Sequence, residues 1–279
     1  LILSPREHNC LNGELKLVDR QLKRLADHHL RIAVFGRVGV GKSSLINALV
    51  GQNILSTDVA HGSTRGQQAV VWTAQRPGLP HVELIDTPGI DEINASGRDR
   101  LAAKVAIGAD LILFVLDSDL TEPEHHALTT LLAQGKTVQL VLNRCDRWPD
   151  AERQPLIRSL RRRLPEPYRS LPLIPVAAAP RRPQLHRDGS VSNELQVPKV
   201  EALQEHLIDY VQRQGDVLLA LNALRHADGF EASRQQLRLQ QHRKAAQGLI
   251  GRYAAAKATG VAVNPFLLID LAGGMACDT

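Results

Sequence analysis

The segment 36–43, Gly-Arg-Val-Gly-Val-Gly-Lys-Ser, constrains the fold of this chain more than any other stretch. It has the spacing G-x-x-x-x-G-K-[ST] of a loop that binds phosphate. The residues before it, 31–35, have the pattern of a buried strand, and residues 44–50 after it have the pattern of a helix. Because the motif needs a strand before it and a helix after it, these flanks favour a phosphate-binding loop over a glycine-rich turn with a chance lysine.

The residue types of this segment explain how it would hold a phosphate. Glycines allow the backbone to curl so that successive N–H groups face the anion, and the helix N-terminus adds its partial positive charge. Lys42 is predicted to reach the β- and γ-phosphates of a nucleotide, and the Ser43 hydroxyl to hold Mg²⁺. The predicted nucleotide contacts of the loop are Gly36, Val38, Gly39, Val40, Gly41, Lys42, Ser43 and Ser44.

A second motif, Asp86-Thr87-Pro88-Gly89, ends an apolar run. Residues 66–75 and 81–86 are predicted to form a hairpin that leads into it. Alone, this tetrapeptide would indicate only a turn. Beside a phosphate loop, Asp86 is predicted to hold the Mg²⁺ shell and the Gly89 N–H to meet the γ-phosphate.

The remaining apolar runs predict an α/β fold. Strands are expected at 109–117, 137–142 and 171–176, and helices within 90–108 and over 122–134 and 150–164. Such alternation predicts a mostly parallel sheet with helices on both faces, and ligands then bind at the carboxyl ends of the strands.

Helices are also predicted at both ends of the chain. Residues 9–28 carry an apolar face at helical spacing, with Asn9 or Asn12 as the cap. A helix over 198–213 would close the domain, residues 214–279 would form a helical C-terminal segment, and residues 180–197, rich in Pro, Arg and Ser, are expected to be an exposed loop. The predicted domains are therefore 1–30, 31–213 and 214–279.

Composition narrows the partners and the compartment. Aromatic residues make up only 3% of the 279 residues, which argues against a surface for single-stranded nucleic acid. The net charge is +5, and arginines cluster in 158–187, where a solvated surface is favoured over a patch for RNA or anionic lipid. Cys10, Cys145 and Cys277 are scattered without C-x-x-C spacing, so a cytoplasmic, reducing location is expected, without disulfides or a zinc site.

The order of the motifs resembles that of the Era-like small GTPases of the translation-factor class, over about residues 31–212. The run 41–49, Gly-Lys-Ser-Ser-Leu-Ile-Asn-Ala-Leu, is particularly similar. The resemblance identifies Thr64, followed by Arg65, as the switch-one threonine, and Asn143 to Asp146 as the guanine motif. It implies GTP or GDP with Mg²⁺ as ligands. It also implies Ser43, Thr64 and Asp86 as metal ligands, and Lys42, Thr64 and Gly89 as catalytic residues.

Guanine selection in this resemblance has a physical basis. Asp146 can accept hydrogen bonds from N1–H and the exocyclic amine of guanine, a donor pair that adenine lacks. Asn143 can meet guanine N7 or brace the loops. Arg144 stands where the family usually has lysine, and its methylenes could cover the base. Ala177-Ala178 stands where the family usually has Ser-Ala, which keeps the backbone contact to guanine O6 and loses the serine hydroxyl.

Two departures from the family bear on hydrolysis. Gly39 replaces the asparagine of potassium-stimulated relatives, which argues against a potassium-dependent mechanism. Ile90 occupies the position where Ras-like enzymes place a glutamine that orients water, so slow intrinsic hydrolysis is expected. Backbone groups, a partner or a second copy docked through the switch face would then supply what is missing.

The C-terminal segment has a second resemblance, to the poorly characterised, membrane-associated domain appended to some bacterial Era-like GTPases. Residues 254–257, 260–265 and 269–272 carry it. A membrane-associated protein is therefore expected, and the alternative is an ordinary helical hairpin packed on the GTPase domain. The apolar run 260–276 is interrupted by Pro265 and Asp270, and its position before Thr279 is consistent with a truncated chain.

Two classes of function follow from these resemblances. The first is a GTP-hydrolysing switch that acts near a membrane. The second is a GTP-dependent scaffold or assembly protein in which binding matters more than turnover. RNA binding is disfavoured, because Era carries a C-terminal KH domain and the C-terminal segment of this chain shows no Gly-x-x-Gly loop between a strand and a helix.

Overall fold

The structure, a computed structural model, describes residues 3–56, 68–73, 79–92, 95–185 and 191–262. The chain divides into two compact units. One consists of residues 21–223, and the other joins residues 1–20 with residues 224–279. The domain boundaries predicted from the sequence, 30/31 and 213/214, stay a prediction.

The unit 21–223 is built on a six-stranded sheet in the order β2-β3-β1-β4-β5-β6. Only β2 runs antiparallel to its neighbour, and the other pairs are parallel. The strands are β1 His29–Gly36, β2 Gln68–Trp72, β3 His81–Asp86, β4 Leu111–Leu116, β5 Thr137–Leu142 and β6 Leu173–Pro175. The α-helices of the described residues are α1 Pro5–Ala26, α2 Lys42–Val50, α3 Ala95–Gly108, α4 Glu122–Ala133, α5 Asp150–Arg163 and α6 Glu201–Ala262. The α/β class and the mostly parallel sheet predicted from the sequence are confirmed.

The central strand β4 shows why the sheet is covered on both faces. Its alternate residues enter two different apolar clusters: Leu113 packs with α2 and α6, whereas Phe114 packs with α3, α4 and α5. Every residue of β4 is buried, as is usual for a parallel strand with helices above and below it. The carboxyl ends of β1, β3, β4 and β5 consequently lie along one edge, where the predicted motifs begin.

The prediction of an exposed loop over 180–197 is wrong. Residues 181–185 and 191–195 form β7 and β8, an antiparallel hairpin outside the main sheet. Polar residues dominate both strands, so composition favoured a loop. The sequence does hold Asp188-Gly189 between these two segments, but Asp-Gly indicates a hairpin strongly only when alternating apolar residues flank it, and here polar residues do.

The start of α1 also differs from the prediction. Asn9 and Asn12 lie inside the helix, and the cap is Ser4. The Ser4 hydroxyl accepts from the Glu7 N–H at 3.3 Å, and the Glu7 carboxylate accepts from the Ser4 N–H at 2.8 Å. This reciprocal pair satisfies two backbone donors that a helix N-terminus leaves open.

The C-terminal helices predicted over 198–213 and 215–259 are one continuous helix, α6. Among the described residues, no helix combines the length and the hydropathy that a membrane crossing requires. The interrupted apolar run over 260–276 lies almost entirely outside the described residues.

Candidate functional site

The loop between β1 and α2 has the backbone conformation that its glycines predict. Gly39 and Gly41 adopt positive φ values of 78° and 91°. At Gly41 a Cβ atom would also lie 2.6 Å from Nδ2 of Asn143, so the position excludes any side chain. Lys42 folds back over the loop, and its Nζ donates to the carbonyl oxygens of Gly36 at 3.1 Å and Arg37 at 2.9 Å. The loop therefore encloses a concave surface at the N-terminus of α2.

A carboxylate from β3 meets this loop. The Ser43 hydroxyl donates to Oδ2 of Asp86 at 2.5 Å, and Asp86 is 1% exposed. Burial raises the pKa of Asp86, although the Ser43 hydrogen bond and the Lys42 charge act in the opposite direction. The other carboxylate oxygen, Oδ1, is buried without a hydrogen-bond partner among the described residues. A hydroxyl beside a buried carboxylate that has an unpartnered oxygen suits a hard cation such as Mg²⁺.

The segment after Asp86 runs against the phosphate loop. Thr87 donates its hydroxyl to the Val34 carbonyl oxygen at 2.8 Å, which fixes the chain at the end of β1. A Cβ atom on Gly89 would lie 2.2 Å from Cγ2 of Val38 and 2.8 Å from its backbone nitrogen. Only glycine therefore permits this close approach. The next residue, Ile90, is fully buried in the apolar cluster that includes Phe114.

Asn143, at the end of β5, braces three loops. Its Nδ2 donates to the Val40 carbonyl oxygen at 2.9 Å. Its Oδ1 accepts from the N–H of Ala178 at 3.0 Å and from the N–H of Arg144 at 2.8 Å. Of the two roles that the sequence left open for Asn143, the structure shows the bracing one.

The sequence analysis missed Asp117, which follows β4. Its carboxylate accepts from Arg37 at 2.9 Å and from Arg144 at 3.1 Å. The two arginines come from the phosphate loop and from the loop after β5. No sequence spacing relates these three residues, so only the alignment of strand ends could have suggested the bridge.

A cavity of about 1110 Å³ opens beside these loops. Its walls include Gly41 and Ser44 from the phosphate-loop end, and Arg144 and Asp146 from the loop after β5. Ala178 and Ala179, rather than Ala177, line it on the β6 side. Ala177 is instead buried and bridges to Lys199. This cavity is slightly larger than typical small-molecule sites, so it has room for a nucleoside.

The structure thus brings three predicted groups to one edge of the sheet. They are the phosphate loop, the segment 86–89, and the set Asn143, Arg144, Asp146 and Ala178. Thr64 and Arg65 lie outside the described residues, and so does the metal contact predicted for Thr64.

Comparison with protein families agrees with this geometry. Residues 31–144 match the family model described as 50S ribosome-binding GTPase. This part of the chain has the P-loop GTPase fold. Residues 225–279 match the model of a domain of unknown function, DUF697.

The curated relatives match less than half of this chain. GTPase Der of Bartonella henselae is 38% identical over 123 residues, which are 42% of this chain and 25% of that protein. The tRNA modification GTPase MnmE of Syntrophotalea carbinolica is 34% identical over 128 residues, 44% of this chain and 27% of that protein. The chain therefore spans about a quarter of the length of these relatives.

Solved structures show the same fold. A structure of Era in complex with MgGDPNP and part of 16S ribosomal RNA has a TM-score of 0.51 and 23% identity, covering 65% of this chain and 56% of that one. A structure of Aquifex aeolicus Era bound to GDP·AlF4⁻ has a TM-score of 0.51 and 24% identity, and it also covers 65% of this chain and 56% of that one. The six-stranded P-loop GTPase fold is thus confirmed, whereas a specific kinship with Era is not.

Proposed function

We propose that the GTPase domain binds GTP and GDP together with Mg²⁺ and hydrolyses GTP to GDP and phosphate, as a nucleotide-dependent switch. One observation carries this proposal: Asn143 ties the loop that holds Asp146 to the phosphate loop through Val40. A base-selecting carboxylate and a phosphate-binding loop therefore border one site. The similarity to GTPase Der and to MnmE supports the activity.

Each residue has a role that its surroundings suit. Lys42 and the N–H groups of the phosphate loop would hold the phosphates, and Asp146 would accept from the guanine edge. Ser43 and Asp86 would hold Mg²⁺, with Thr64 added by resemblance. The ion supplies charge stabilisation at the β- and γ-phosphates when bound. The Gly89 N–H, held against Val38, would donate to the γ-phosphate.

Slow hydrolysis is part of the proposal. Ile90 is buried in the apolar core and offers no group that could orient a water molecule. An arginine finger is worth on the order of 10³–10⁵ in rate, and Arg65 is a candidate only by resemblance. A partner or a second copy would complete the site.

Nucleotide titration and phosphate release test the proposal together. The wild-type protein is expected to bind GDP in the presence of Mg²⁺ and to release phosphate slowly over several turnovers. Lys42→Ala should abolish or strongly weaken GTP binding, whereas Lys16→Ala, an exposed position on α1, should not. Absence of GDP binding by the folded wild type would contradict the proposal. Tight binding without turnover would instead indicate the scaffold function.

We also propose that the protein associates with an anionic membrane surface through the end of α6. Leu249, Ile250 and Tyr253 are exposed there by 60%, 68% and 51%, next to Arg252. Exposed apolar side chains beside basic ones suit the surface of an anionic bilayer.

Sedimentation with vesicles tests this second proposal. The full chain is expected to sediment with phosphatidylserine vesicles and not with neutral ones. The double variant Leu249→Glu/Ile250→Glu should stay in solution, and Gln247→Glu, an exposed control on the same helix, should still sediment. Equal sedimentation of both variants, or none by the wild type with GDP or GTP, would refute the membrane association.

A further inference from the structure

The β7–β8 hairpin is inserted directly beside the nucleotide cavity. It begins at Arg181, two residues after Ala179, which lines the cavity. Two backbone contacts close its base: the N–H of Gln196 donates to the Pro180 carbonyl oxygen at 2.8 Å, and Ala177 bridges to Lys199. The hairpin is thus anchored to the loop that Asn143 braces, and it has no place in the six-stranded sheet or in the roles proposed above.

Only one face of the hairpin borders the cavity. Arg181 pairs with Leu195, and the next pair along the strands is Arg182 with Glu194. Arg181 and Leu195 line the cavity, and so does Asn193 on the same face. Arg182 and Glu194 do not line it, because successive residues of a strand point to opposite faces. The hairpin therefore has an inner face toward the cavity and an outer face away from it.

The inner face has the chemistry to hold a nucleoside. Leu195 is 59% exposed and Val197, which follows the hairpin, is 80% exposed, so both offer apolar surface within the cavity. Arg181 adds an exposed guanidinium, a group that stacks on aromatic rings. Asp146 in the same cavity can read the polar edge of guanine, but it offers nothing to the faces of the ring. The methylenes of Arg144 can cover part of those faces, and the hairpin adds further apolar and cationic surface within the same cavity.

We propose that the β7–β8 hairpin is a wall of the nucleotide site, and that Arg181 and Leu195 contact the nucleoside half of the bound guanine nucleotide and slow its release. This inference rests on the proposed function, since it assumes that the cavity receives a guanine nucleotide. Affinity differences between related complexes lie mostly in the dissociation rate, so the release rate is the quantity to measure.

The experiment follows the release of radiolabelled GDP after a chase with unlabelled GDP in Mg²⁺ buffer. Arg181→Ala and Leu195→Ser are each expected to speed release by about 3- to 30-fold, the range of a cation–π contact or a lost apolar contact. Arg182→Ala, the control on the outer face of the same strand, should release GDP at the wild-type rate. The thermal unfolding temperature without nucleotide should be equal in all four proteins, because these side chains are exposed.

Inorganic pyrophosphate provides the second arm. Pyrophosphate would occupy the phosphate loop without a nucleoside. Its inhibition constant for competition with GDP binding should therefore be the same in wild type and in Arg181→Ala. Unchanged GDP release in both inner-face variants would overturn the inference while leaving the proposed function intact. Equal acceleration by Arg181→Ala and Arg182→Ala would also overturn it. The faster release would then follow from the loss of a positive charge on either face of the hairpin and not from a lost contact with the nucleoside. Failure of the wild type to bind GDP would instead reject the proposed function.

Discussion

The side-chain amide of Asn143 donates a 2.9 Å hydrogen bond to the carbonyl oxygen of Val40, 103 residues earlier in the chain. The same side chain accepts from the N–H of Ala178, and Asn143 is only 2% exposed. One buried residue thus holds the phosphate loop, the loop after β5 and the loop after β6 in a fixed arrangement. Contacts to a base and contacts to its phosphates would be coupled through this side chain.

Replacement of Asn143 by alanine should weaken both the fold and nucleotide binding. The change leaves the Val40 carbonyl oxygen and the Ala178 N–H without their partner, which costs about 1–3 kcal/mol in the free energy of unfolding. Urea unfolding without nucleotide and calorimetry with GDP measure the two effects. Asn9→Ala, at an exposed position of α1, is the control. A stable Asn143→Ala protein with wild-type GDP affinity would show that the loops do not depend on this brace.

Asp86→Asn should stabilise the protein when Mg²⁺ and nucleotide are absent. Burial raises the pKa of Asp86 above its ordinary value of 3.8, so the ionised carboxylate costs folding energy, and the cost grows as the pH rises from that value to the folded pKa. The stability advantage of Asp86→Asn should therefore be larger at neutral pH than at pH ~4.

With GDP and Mg²⁺ bound, the wild type should instead be more stable than Asp86→Asn, because the variant loses the cation ligand. Thermal unfolding at several pH values, with and without Mg²⁺-GDP, tests both statements. Asp19→Asn, at an exposed position of α1, should show neither effect. If Asp86→Asn were less stable than wild type at neutral pH without metal, the proposal that Asp86 is a cation ligand with a destabilising buried charge would be refuted.

Gly89→Ala should impair binding of the triphosphate more than binding of GDP. Its Cβ would lie 2.2 Å from Val38 Cγ2, so the segment must move away from the phosphate loop. The Gly89 N–H then no longer reaches the position proposed for the γ-phosphate. Affinities for GDP and for a non-hydrolysable GTP analogue provide the comparison. Gly229→Ala, where a Cβ meets no atom within 4 Å, should leave both affinities unchanged. Equal losses for the two nucleotides would count against the role of the N–H.

Glu7 should make the unit formed by residues 1–20 and 224–279 sensitive to acid. The hydrogen bond from Arg238 at 2.6 Å, together with those from Ser4, lowers the pKa of Glu7 from 4.5 to about 2. Its stabilising effect is therefore present above pH 4.5 and is lost as the pH falls toward 2. Glu7→Gln should lower the unfolding temperature at neutral pH, and the difference from wild type should shrink in acid. If the difference in unfolding temperature stayed constant from neutral pH down toward pH 2, the ion pair would be excluded as its cause. Glu205→Gln, at an exposed position of α6, is the control.

The sequence predicted those parts of the fold whose signal is local. The strand over 137–142 has the predicted bounds, because a short, mostly apolar run between two polar turns marks a strand buried on both faces. The phosphate loop was predictable for a similar reason, since its glycines, lysine and serine are contiguous. The motifs then converge because parallel strands end at the same edge.

The parts that sequence reasoning missed depend on contacts between distant residues or on weak local signals. Asp117 bridges Arg37 and Arg144, which lie 80 and 27 residues away along the chain. The apolar residues that predict α1 begin only at Leu11. The prediction therefore placed the start of the helix too late to include the capping pair Ser4 and Glu7. The β7–β8 hairpin carries few apolar residues, so its two-residue alternation was too faint to separate it from a loop.

Calorimetric titration with GDP, ATP and xanthosine diphosphate tests the central claim most directly, because it asks whether Asp146 selects guanine. The wild type in Mg²⁺ buffer should bind GDP and not ATP. In Asp146→Asn the amide can donate where the carboxylate accepted, so preference should shift to xanthosine diphosphate, whereas Asp150→Asn, at an exposed position of α5, should keep the wild-type preference. Equal binding of GDP and ATP by the wild type, or an unchanged preference in Asp146→Asn, would contradict a guanine-nucleotide site.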